Sequence, residues 1–332
     1  MRAIQITEWT SPERLQVSEI APPACGGEEV LIRVHAAAVS HSLSLLIAGK
    51  YQRKPAFPFV PGNTVAGTVI STGARAGRFR VGDRVLASLE YGSLAEQAVA
   101  HEDNTWPIPP GLPFPEATAF NSSYNSVAAA LTWPGLLEAG PGKTLLVTGA
   151  AGGVGTAAVQ IGRLLGARVI AAASSEAGRW HALHNGAHEA VDAGPAVLRD
   201  AVRQLTAGEG VQAVLEPVGG AVFDAALRCL APGGRILPIG FAGGVVPQIP
   251  ANLLLVKNIT VCGLYMGYYK IDARARHAAR MRELFALLGS WWEQGLIKPQ
   301  VGACFSLDEV PAAFARVLDR AHRGHVVVTP NA

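Results

Sequence analysis

The chain has few charged residues and no long uninterrupted apolar segment. Asp, Glu, Lys and Arg make up only 16% of its 332 residues, whereas 49% are hydrophobic. This composition excludes a disordered chain and favours one that buries a sizeable core. No run of about 18 apolar residues could span a bilayer. The start of the chain, from Met1 to Glu8, lacks the apolar stretch of a secretion signal, so we expect a cytoplasmic protein.

Cysteine and clustered basic charge are also scarce. The four cysteines are scattered without a C-x-x-C pair, and we interpret them as unpaired thiols: Cys25, Cys229, Cys262 and Cys304. The net charge is only +3, and no run of Lys or Arg forms a basic stripe. We therefore expect no nucleic-acid partner.

Glycine and proline, in contrast, are abundant, at 37 and 22 residues, and they separate short β-type runs in the first third of the chain. From residue 144 onward, buried-type strands alternate with helices, which predicts a parallel, doubly wound sheet. A helix over residues 279–294 leads into a β-type tail, residues 324–329, which we expect to return to the first domain. The predicted fold class is α/β, with a mostly β domain (residues 1–122 and 273–332) and a doubly wound domain (residues 123–272).

The strongest chemical signal is a glycine-rich turn that leaves a strand and opens a helix. It has the form Ala-x-Gly-x-x-Gly, in which Ala150 replaces the usual first glycine. Small residues there let the backbone approach a pyrophosphate, and the helix N-terminus favours an anion. The predicted contacts of a dinucleotide in this turn are Ala150, Gly152, Gly153, Val154 and Gly155.

The residues after the next strand favour NADPH over NADH. NAD sites usually place an acid at the end of that strand, but here it runs into Ser174 and Ser175. These hydroxyls, with Arg179 in the following helix, suit a 2′-phosphate. The alternative for Arg179 is a solvated helix residue.

Together these patterns resemble the medium-chain dehydrogenase/reductase superfamily, and the resemblance runs essentially end to end. It is carried by the glycine turn with its helix (residues 149–165) and by residues 61–69 and 81–85. Residues 92–96, 109–112, 218–220 and 240–258 look most like the zinc-independent NADPH:quinone oxidoreductase branch, which includes zeta-crystallin-like proteins. The resemblance implies a GroES-like catalytic domain made from both ends of the chain and a Rossmann domain that binds NADPH. It also implies a homodimer through an edge strand from Ile259 to Gly267.

Zinc dehydrogenases of this superfamily hold their catalytic metal with Cys, His and a second Cys or an acid. Here the first ligand position is Ser40, and the His-Glu region falls on residues 61–64, which contain neither. No cysteine lies between Cys25 and Cys229, so the lobe that holds a structural zinc is missing as well. We expect no metal. Without a Lewis acid, the acceptors favoured are those that take up hydride readily, such as quinones and conjugated enones.

Three hydroxyl side chains are the candidates for supplying a proton or binding an oxyanion: Tyr51, Ser40 and Ser42. Quinone reductases of the family usually carry Asn-x-x-Asp facing the nicotinamide, whereas this chain has Ser40-x-x-Leu43. Tyr51 keeps the family's aromatic position, and Ser42 matches the Ser or Thr proton relay of zinc dehydrogenases. Each also has a structural alternative: Tyr51 as a wall of the pocket, and the serines as partners of turn backbone groups.

The resemblance implies further cofactor contacts. His41 stands where members use a basic side chain against the pyrophosphate, and its alternative is a packed or surface histidine. Arg323 could also reach the phosphates, and its alternative is a solvent-exposed charge. The remaining positions approach the cofactor from strand ends or helix starts: Tyr124, Ser126, Pro217, Val218, Gly240, Phe241 and Ala242.

Three functions are compatible with the sequence. The first is an NADPH-dependent quinone reductase that acts on a small-molecule acceptor. The second is an enoyl or enone reductase that uses the same hydride geometry on a C=C bond. The third is a nucleotide-binding, crystallin-like or RNA-associated protein with little turnover. Substrate choice depends on pocket shape rather than on a motif, so the sequence leaves the first two open.

Overall fold

The structure is a computed structural model that describes residues 1–319 and 322–331, and these form two compact units. The first unit contains Met1–Ser122, Gly267–Gly289 and the described residues from Pro299 onward. The second unit contains Ser123–Met266 and Ser290–Lys298. None of the helices in the described part of the chain is long and apolar enough to cross a membrane.

The N-terminal part of the chain is mostly β. Its elements in chain order are β1 (Arg2–Ile4), β2 (Val17–Glu19), β3 (Glu29–Val39), α1 (His41–Ile47), β4 (Thr64–Thr72), β5 (Arg84–Ser88), β6 (Gln97–His101), β7 (Thr105–Pro107) and α2 (Phe114–Ala119). A π-helical turn, Phe120–Tyr124, follows α2.

Strands and helices then alternate. The elements are α3 (Asn125–Thr132), β8 (Thr144–Val147), α4 (Gly153–Leu164), β9 (Arg168–Ala173), α5 (Glu176–His184), β10 (Glu189–Asp192), α6 (Pro195–Leu205), β11 (Val211–Glu216), α7 (Gly220–Arg228), β12 (Leu230–Pro238), α8 (Ala251–Lys257) and β13 (Thr260–Val261). A second π-helical turn, Tyr268–Asp272, precedes α9 (Arg274–Glu293), β14 (Val301–Ser306), α10 (Val310–Leu318) and β15 (His325–Thr329).

The first unit is built on a seven-stranded sheet with the order β14-β15-β3-β4-β5-β7, in which β6 also pairs with β3. β3 alternates as its sequence predicts: Val30, Ile32 and Val34 are fully buried in the core, and Arg33 is exposed. β15 pairs antiparallel with β3. This pairing confirms that the β-type tail returns to the N-terminal part of the chain.

The second unit is built on a six-stranded sheet with the order β10-β9-β8-β11-β12-β13, and all neighbouring strands are parallel. β8 is first in the chain and central in the sheet, so the strand order reverses between β8 and β11. Leu145, Leu146 and Val147 are consecutive and fully buried, as expected of a strand covered on both faces. The predicted α/β fold class, with its doubly wound parallel sheet, is confirmed.

Candidate functional site

The central strand of the second unit ends in a glycine-rich turn that opens a helix. β8 ends at Val147, and α4 begins at Gly153 with Gly152 as its N-cap residue. Gly149 has a φ of +55°, a left-handed conformation that glycine adopts without strain. A Cβ on Gly155 would lie 2.2 Å from the carbonyl oxygen of Gly149, so the packing of the turn itself requires glycine at 155.

Gly152 is not required by packing. The nearest heavy atom to a Cβ there would be the Gly149 carbonyl oxygen, at 3.5 Å, which is ordinary van der Waals contact. The backbone N–H groups of the first helical turn, including those of Gly153 and Val154, have no partners within an α-helix. The missing side chain leaves these groups accessible to an anion, which the helix dipole also favours. The turn, with Ala150 buried beneath it, therefore fits the pyrophosphate of a dinucleotide.

A buried carboxylate that no sequence motif indicated lies beside this turn. Glu216 ends β11 and has no exposed surface. Its carboxylate accepts hydrogen bonds from the Thr148 hydroxyl, at 2.9 Å, and from the backbone N–H groups of Val218 and Gly219, both at 2.8 Å. Burial raises the pKa of Glu216, whereas these donors stabilise its charged form. The carboxylate ties the ends of β8 and β11 together, and an acid closing an apolar strand was the signal in the sequence.

The loops after β11 and β12 bind each other next to the same turn. The backbone N–H of Ala242 donates to the Pro217 carbonyl at 3.0 Å, and that of Gly243 donates to the Val218 carbonyl at 2.7 Å. Side-chain atoms of Pro217 and Val218 would lie 3.2 and 3.1 Å from a Cβ on Gly149. The structure thus brings together five of the predicted cofactor residues: Pro217, Val218, Gly240, Phe241 and Ala242.

The residues predicted to hold a 2′-phosphate lie at the end of β9 and in the first turns of α5. Ser174 is exposed there, and the Ser175 hydroxyl accepts a hydrogen bond from a backbone N–H in the first turn of α5. Arg179 donates to the Ala173 carbonyl at 3.2 Å and to the Asp192 carboxylate at 3.3 Å. These bonds orient the guanidinium toward the strand end. Asp192, which was not among the predicted site residues, forms an ion pair with this guanidinium.

Tyr124 and Ser126 are engaged within the second unit. Tyr124 is 1% exposed, and its hydroxyl donates to the side chain of Gln160 in α4 at 2.8 Å. Burial also raises the pKa of Tyr124. The Ser126 hydroxyl donates to the Ser123 carbonyl at 3.3 Å and to the Asn125 side chain at 3.1 Å. These bonds support a structural role for both residues, and their contact with a cofactor stays a prediction.

In the first unit, the predicted catalytic hydroxyls lie around α1. Ser40 is the N-cap residue of this helix, and its hydroxyl shares a hydrogen bond of 3.0 Å with that of Ser42. Burial lowers the pKa of His41, which favours a neutral imidazole. Tyr51 follows the other end of α1 and packs, half-buried, against the core of the unit. The structure thus pairs the two serines and places Tyr51 beyond the C-terminus of the helix.

The first unit also contains a buried lysine that was not among the predicted site residues. The amine of Lys270 donates to the side-chain oxygen of Asn121 at 2.9 Å, and the amide of Asn121 donates to the Thr64 hydroxyl at 2.7 Å. Asn104 donates to the Lys270 carbonyl at 2.7 Å. Burial lowers the pKa of Lys270 to about 8. Thr64 belongs to the segment that the resemblance matched with zinc ligands, so a polar network extends from the core to this position.

The last predicted contact, Arg323, is exposed shortly before β15, and its role stays a prediction. His325, which stands where the resemblance implies Lys, is buried, and its ring lies 3.3 Å from the Ser122 hydroxyl. Burial lowers the pKa of His325 to about 4.

The structure also shows whether side chains that could bind a metal ion are grouped together. Within residues 1–319 and 322–331, no group of three or more His, Cys, Asp or Glu side chains could hold a metal ion. The four cysteines are free thiols, and Cys229 and Cys262 are buried.

Comparisons with known proteins cover nearly the whole chain. Residues 26–110 match the family model for the alcohol dehydrogenase GroES-like domain, and residues 153–285 match the model for zinc-binding dehydrogenases. Quinone oxidoreductase-like protein 2 of Rattus norvegicus is 36% identical over 329 residues, which are 99% of this chain and 92% of the relative. The quinone oxidoreductase of Homo sapiens is 30% identical over 320 residues, with 96% and 94% coverage.

Solved structures show the same fold. The quinone oxidoreductase from Thermus thermophilus, also solved as a complex with NADPH, is 32% identical and superposes with a TM-score of 0.83 over 99% of this chain and 100% of its own. A mycobacterial protein complexed with NADPH is 28% identical, with a TM-score of 0.92 and coverage of 99% and 100%. The chain therefore belongs to the quinone oxidoreductase-like branch of the medium-chain dehydrogenase/reductase superfamily.

Proposed function

We propose that this protein is an NADPH-dependent oxidoreductase that transfers hydride to a quinone or a similar conjugated carbonyl without a zinc ion. The observation that carries the proposal is the open glycine position, Gly152, at the N-terminus of α4 and the C-terminal edge of a parallel sheet. Relatives that are named quinone oxidoreductases, and the NADPH complexes of two similar structures, support it.

The second unit offers three places to hold the cofactor. The turn around Gly152 would take the pyrophosphate, and Ser174 and Arg179 would take the 2′-phosphate through charge-assisted hydrogen bonds. The loops after β11 and β12, which contain Val218 and Phe241, would contact the nicotinamide end. NADPH supplies the hydride when bound, and the protein's task is to bind it and orient it.

In this proposal, residues of the first unit deliver the proton. Because Ser40 stands at the first zinc-ligand position, hydroxyl groups rather than a metal must polarise or protonate the acceptor. The paired Ser40 and Ser42 hydroxyls and the phenol of Tyr51 are the groups we assign to this role. An oxyanion formed on a quinone needs less proton assistance than one formed on a simple ketone, which agrees with a site built from neutral donors.

The experiment that tests the proposal follows NADPH oxidation by purified, chelator-treated protein. An ortho-quinone and an aliphatic enone are assayed in parallel as acceptors. Faster turnover of the quinone supports the proposal, whereas faster turnover of the enone indicates a C=C reductase that uses the same cofactor site. Binding of NADPH without turnover of either acceptor would contradict the proposal and favour a nucleotide-binding protein with little activity.

We also propose that two copies pair through the edge of the six-stranded sheet. β13 is the last strand of this sheet, and apolar side chains are exposed close to it in the chain. In α8, Leu255 is 80% exposed and Val256 is 77% exposed. An unpaired edge strand flanked by exposed apolar residues favours pairing with a second copy.

A further inference from the structure

A line of side-chain hydrogen bonds leads from the buried amine of Lys270 to the surface of the first unit. Lys270 donates to the side-chain oxygen of Asn121 at 2.9 Å, and the amide of Asn121 donates to the Thr64 hydroxyl at 2.7 Å. The Thr64 hydroxyl in turn donates to the side-chain oxygen of Asn63 at 3.1 Å. The first three residues are buried, whereas Asn63 is exposed. These four side chains form the Lys270–Asn63 network, which crosses from the core to the surface.

The chemistry of each group sets the direction of these bonds. The pKa of Lys270 is lowered to about 8 by burial, so the amine is an ammonium group at neutral pH and can only donate. It fixes the oxygen of Asn121 toward Lys270 and the NH2 group of Asn121 toward Thr64. Because the Thr64 oxygen already accepts from Asn121, its single hydrogen is available for Asn63. The network therefore selects the orientation of Asn63 in which the oxygen faces Thr64 and the NH2 group faces away.

The NH2 group of Asn63 is thus a hydrogen-bond donor that is oriented in advance. Its side chain is exposed, so a ligand can reach it. An amide whose oxygen accepts a hydrogen bond donates more strongly from its nitrogen, because each bond polarises the same group. A free surface amide rotates to suit any partner, whereas this one is held by a network that begins in the core.

The backbone holds Asn63 beside the serine pair of the first unit. The carbonyl of Asn63 accepts a hydrogen bond at 2.9 Å from the backbone N–H of the residue that follows β5. On the other side, Ala37 in β3 pairs with Val65 in β4, and the two strands are antiparallel. The same register continued by two positions places Asn63 across from Val39, the residue directly before Ser40. Asn63 and the candidate hydroxyls therefore lie at the same end of two neighbouring strands.

The proposed reaction requires a donor of this kind. Transfer of hydride from NADPH to a quinone leaves NADP⁺ and a hydroquinone anion, and one proton then completes the hydroquinone. The charge on the acceptor oxygen is therefore largest after hydride transfer and before protonation. N–H groups that are fixed in position stabilise such an oxyanion, and they lose no proton in doing so.

We propose that the NH2 group of Asn63 is an oxyanion donor for the acceptor, and that Thr64, Asn121 and Lys270 are positioning residues that hold it in this orientation. This inference rests on the proposed function. The candidate hydroxyls keep the role of proton donors, and Asn63 stabilises the charge on oxygen before the proton arrives. Reduction of a conjugated enone also places charge on oxygen, as an enolate, so both classes of acceptor depend on Asn63.

The first test removes the donor. Asn63→Ala is compared with Gln16→Ala, which removes an exposed amide elsewhere in the same unit. Steady-state assays with NADPH use 1,2-naphthoquinone and 3-penten-2-one as acceptors. We expect Asn63→Ala to lower kcat about 100-fold with each acceptor that the wild type reduces, while calorimetric titration shows an unchanged affinity for NADPH. The control should match the wild type. An unchanged kcat in Asn63→Ala, including a variant in which only KM rises, would overturn the inference.

The second test addresses the positioning residues. Thr64→Val keeps the shape of the side chain but removes the hydroxyl that orients Asn63, and Thr64→Ser restores that hydroxyl. We expect kcat to fall about tenfold in Thr64→Val and to return close to the wild-type value in Thr64→Ser. Because Thr64 acts only through Asn63, adding Thr64→Val to Asn63→Ala should lower kcat no further. A further loss in the double variant, or equal losses in Thr64→Val and Thr64→Ser, would overturn the positioning role.

A binding measurement separates failure of the inference from failure of the proposed function. The probe is 4-nitrophenolate, an anion with its charge on a ring oxygen, titrated by absorbance in the presence of NADP⁺. We expect the wild type to bind it about tenfold more tightly than Asn63→Ala does. If the wild type reduces neither acceptor, the proposed function fails, and tighter binding that depends on Asn63 still supports the oxyanion site. Equal binding by the two proteins, or no binding by the wild type, overturns it.

Discussion

Gly152 and Gly155 belong to one fingerprint but are glycines for different physical reasons. A side chain at 155 would collide with the backbone of the turn, at 2.2 Å from the Gly149 carbonyl oxygen. A Cβ at 152 would meet nothing closer than the Gly149 carbonyl oxygen, at 3.5 Å. Packing therefore requires glycine at 155, whereas packing does not require it at 152, the position that we propose leaves the helix N-terminus open to the cofactor.

Substitution of Gly152 by Leu should separate binding from folding. We expect the affinity for NADPH to fall at least about tenfold, because the side chain occupies the approach of the pyrophosphate, while Tm changes little. Gly155→Ala is the contrasting variant, and it should lower the free energy of unfolding by about 1–3 kcal/mol through steric strain. Calorimetric NADPH titration and thermal melting measure the two effects. Full NADPH affinity in Gly152→Leu would refute the assignment of this turn.

Substitution of Tyr51 by Phe tests whether its phenol is the proton donor. If the phenol delivers the proton, kcat with a quinone should fall by about 100-fold, while the affinity for NADPH stays the same. Ser42→Ala, assayed in parallel, shows whether the serine pair acts instead. An unchanged turnover number in Tyr51→Phe removes Tyr51 as the proton donor and leaves it as a wall of the site.

At the scale of secondary-structure elements, buried polar groups join strands and turns that lie far apart in the chain. Glu216 holds the ends of β8 and β11 in register with the glycine turn. Lys270 joins a π-helical turn to Asn121 and, through it, to the start of β4. Both groups are costly to bury and depend on their partners.

Glu216→Leu should destabilise the second unit. The substitution leaves the Thr148 hydroxyl and two backbone N–H groups buried without their acceptor, and we expect a loss of about 3 kcal/mol in the free energy of unfolding. Glu209→Leu, at an exposed glutamate of the same unit, should change stability by less than about 0.5 kcal/mol. Urea denaturation measures both, and similar effects of the two substitutions would contradict the role of the Glu216 network.

The buried lysine predicts a pH dependence of stability. The pKa of Lys270 is about 8 in the folded protein, against 10.5 for an unperturbed lysine. Between these values the unfolded chain binds more protons than the folded one, so stability rises with pH. The difference in free energy of unfolding between the wild type and Lys270→Met should therefore shift in favour of the wild type by about 2 kcal/mol from pH 8 to pH 10. Below pH 8 this slope should disappear; urea titrations across the range measure it, and a difference that is constant with pH would disprove it.

At the scale of the whole molecule, the exposed apolar residues of α8 should decide the oligomeric state. We expect the wild type to sediment as a dimer and Leu255→Glu to sediment as a monomer, because the substitution buries an unpaired charge in the interface. Val197→Glu is the control, since Val197 is 50% exposed in the same unit but lies on α6. Sedimentation velocity at several concentrations separates the states. A wild type that is monomeric throughout would refute pairing at the β13 edge.

Local patterns in the sequence were sufficient to predict the architecture of the fold. The period-two burial of β3, the continuous apolar run of β8 and the glycine turn before α4 are properties of neighbouring residues, so they are legible without the fold. Parallel strands separated by helices then leave few possible topologies, and the observed order around β8 is one of them. Local pattern also placed Ser174 and Ser175 at the end of β9, whereas the residues after β11 and β12 were implied by the family resemblance, and their contact with a cofactor stays a prediction.

Only the tertiary structure decided which polar side chains meet. Thr148 and Glu216 are 68 positions apart, and Asn121 and Lys270 are 149 apart, so no local pattern connects them. The structure also showed that Arg179 shares its charge with Asp192, and that Trp9 rests on Gly49. Hydrophobic periodicity determines the faces of elements over a few residues, whereas the partner of a buried polar group depends on how distant elements pack. For this reason the sequence alone determined the fold and the nucleotide turn, and only the tertiary structure determined the buried networks of Glu216 and Lys270.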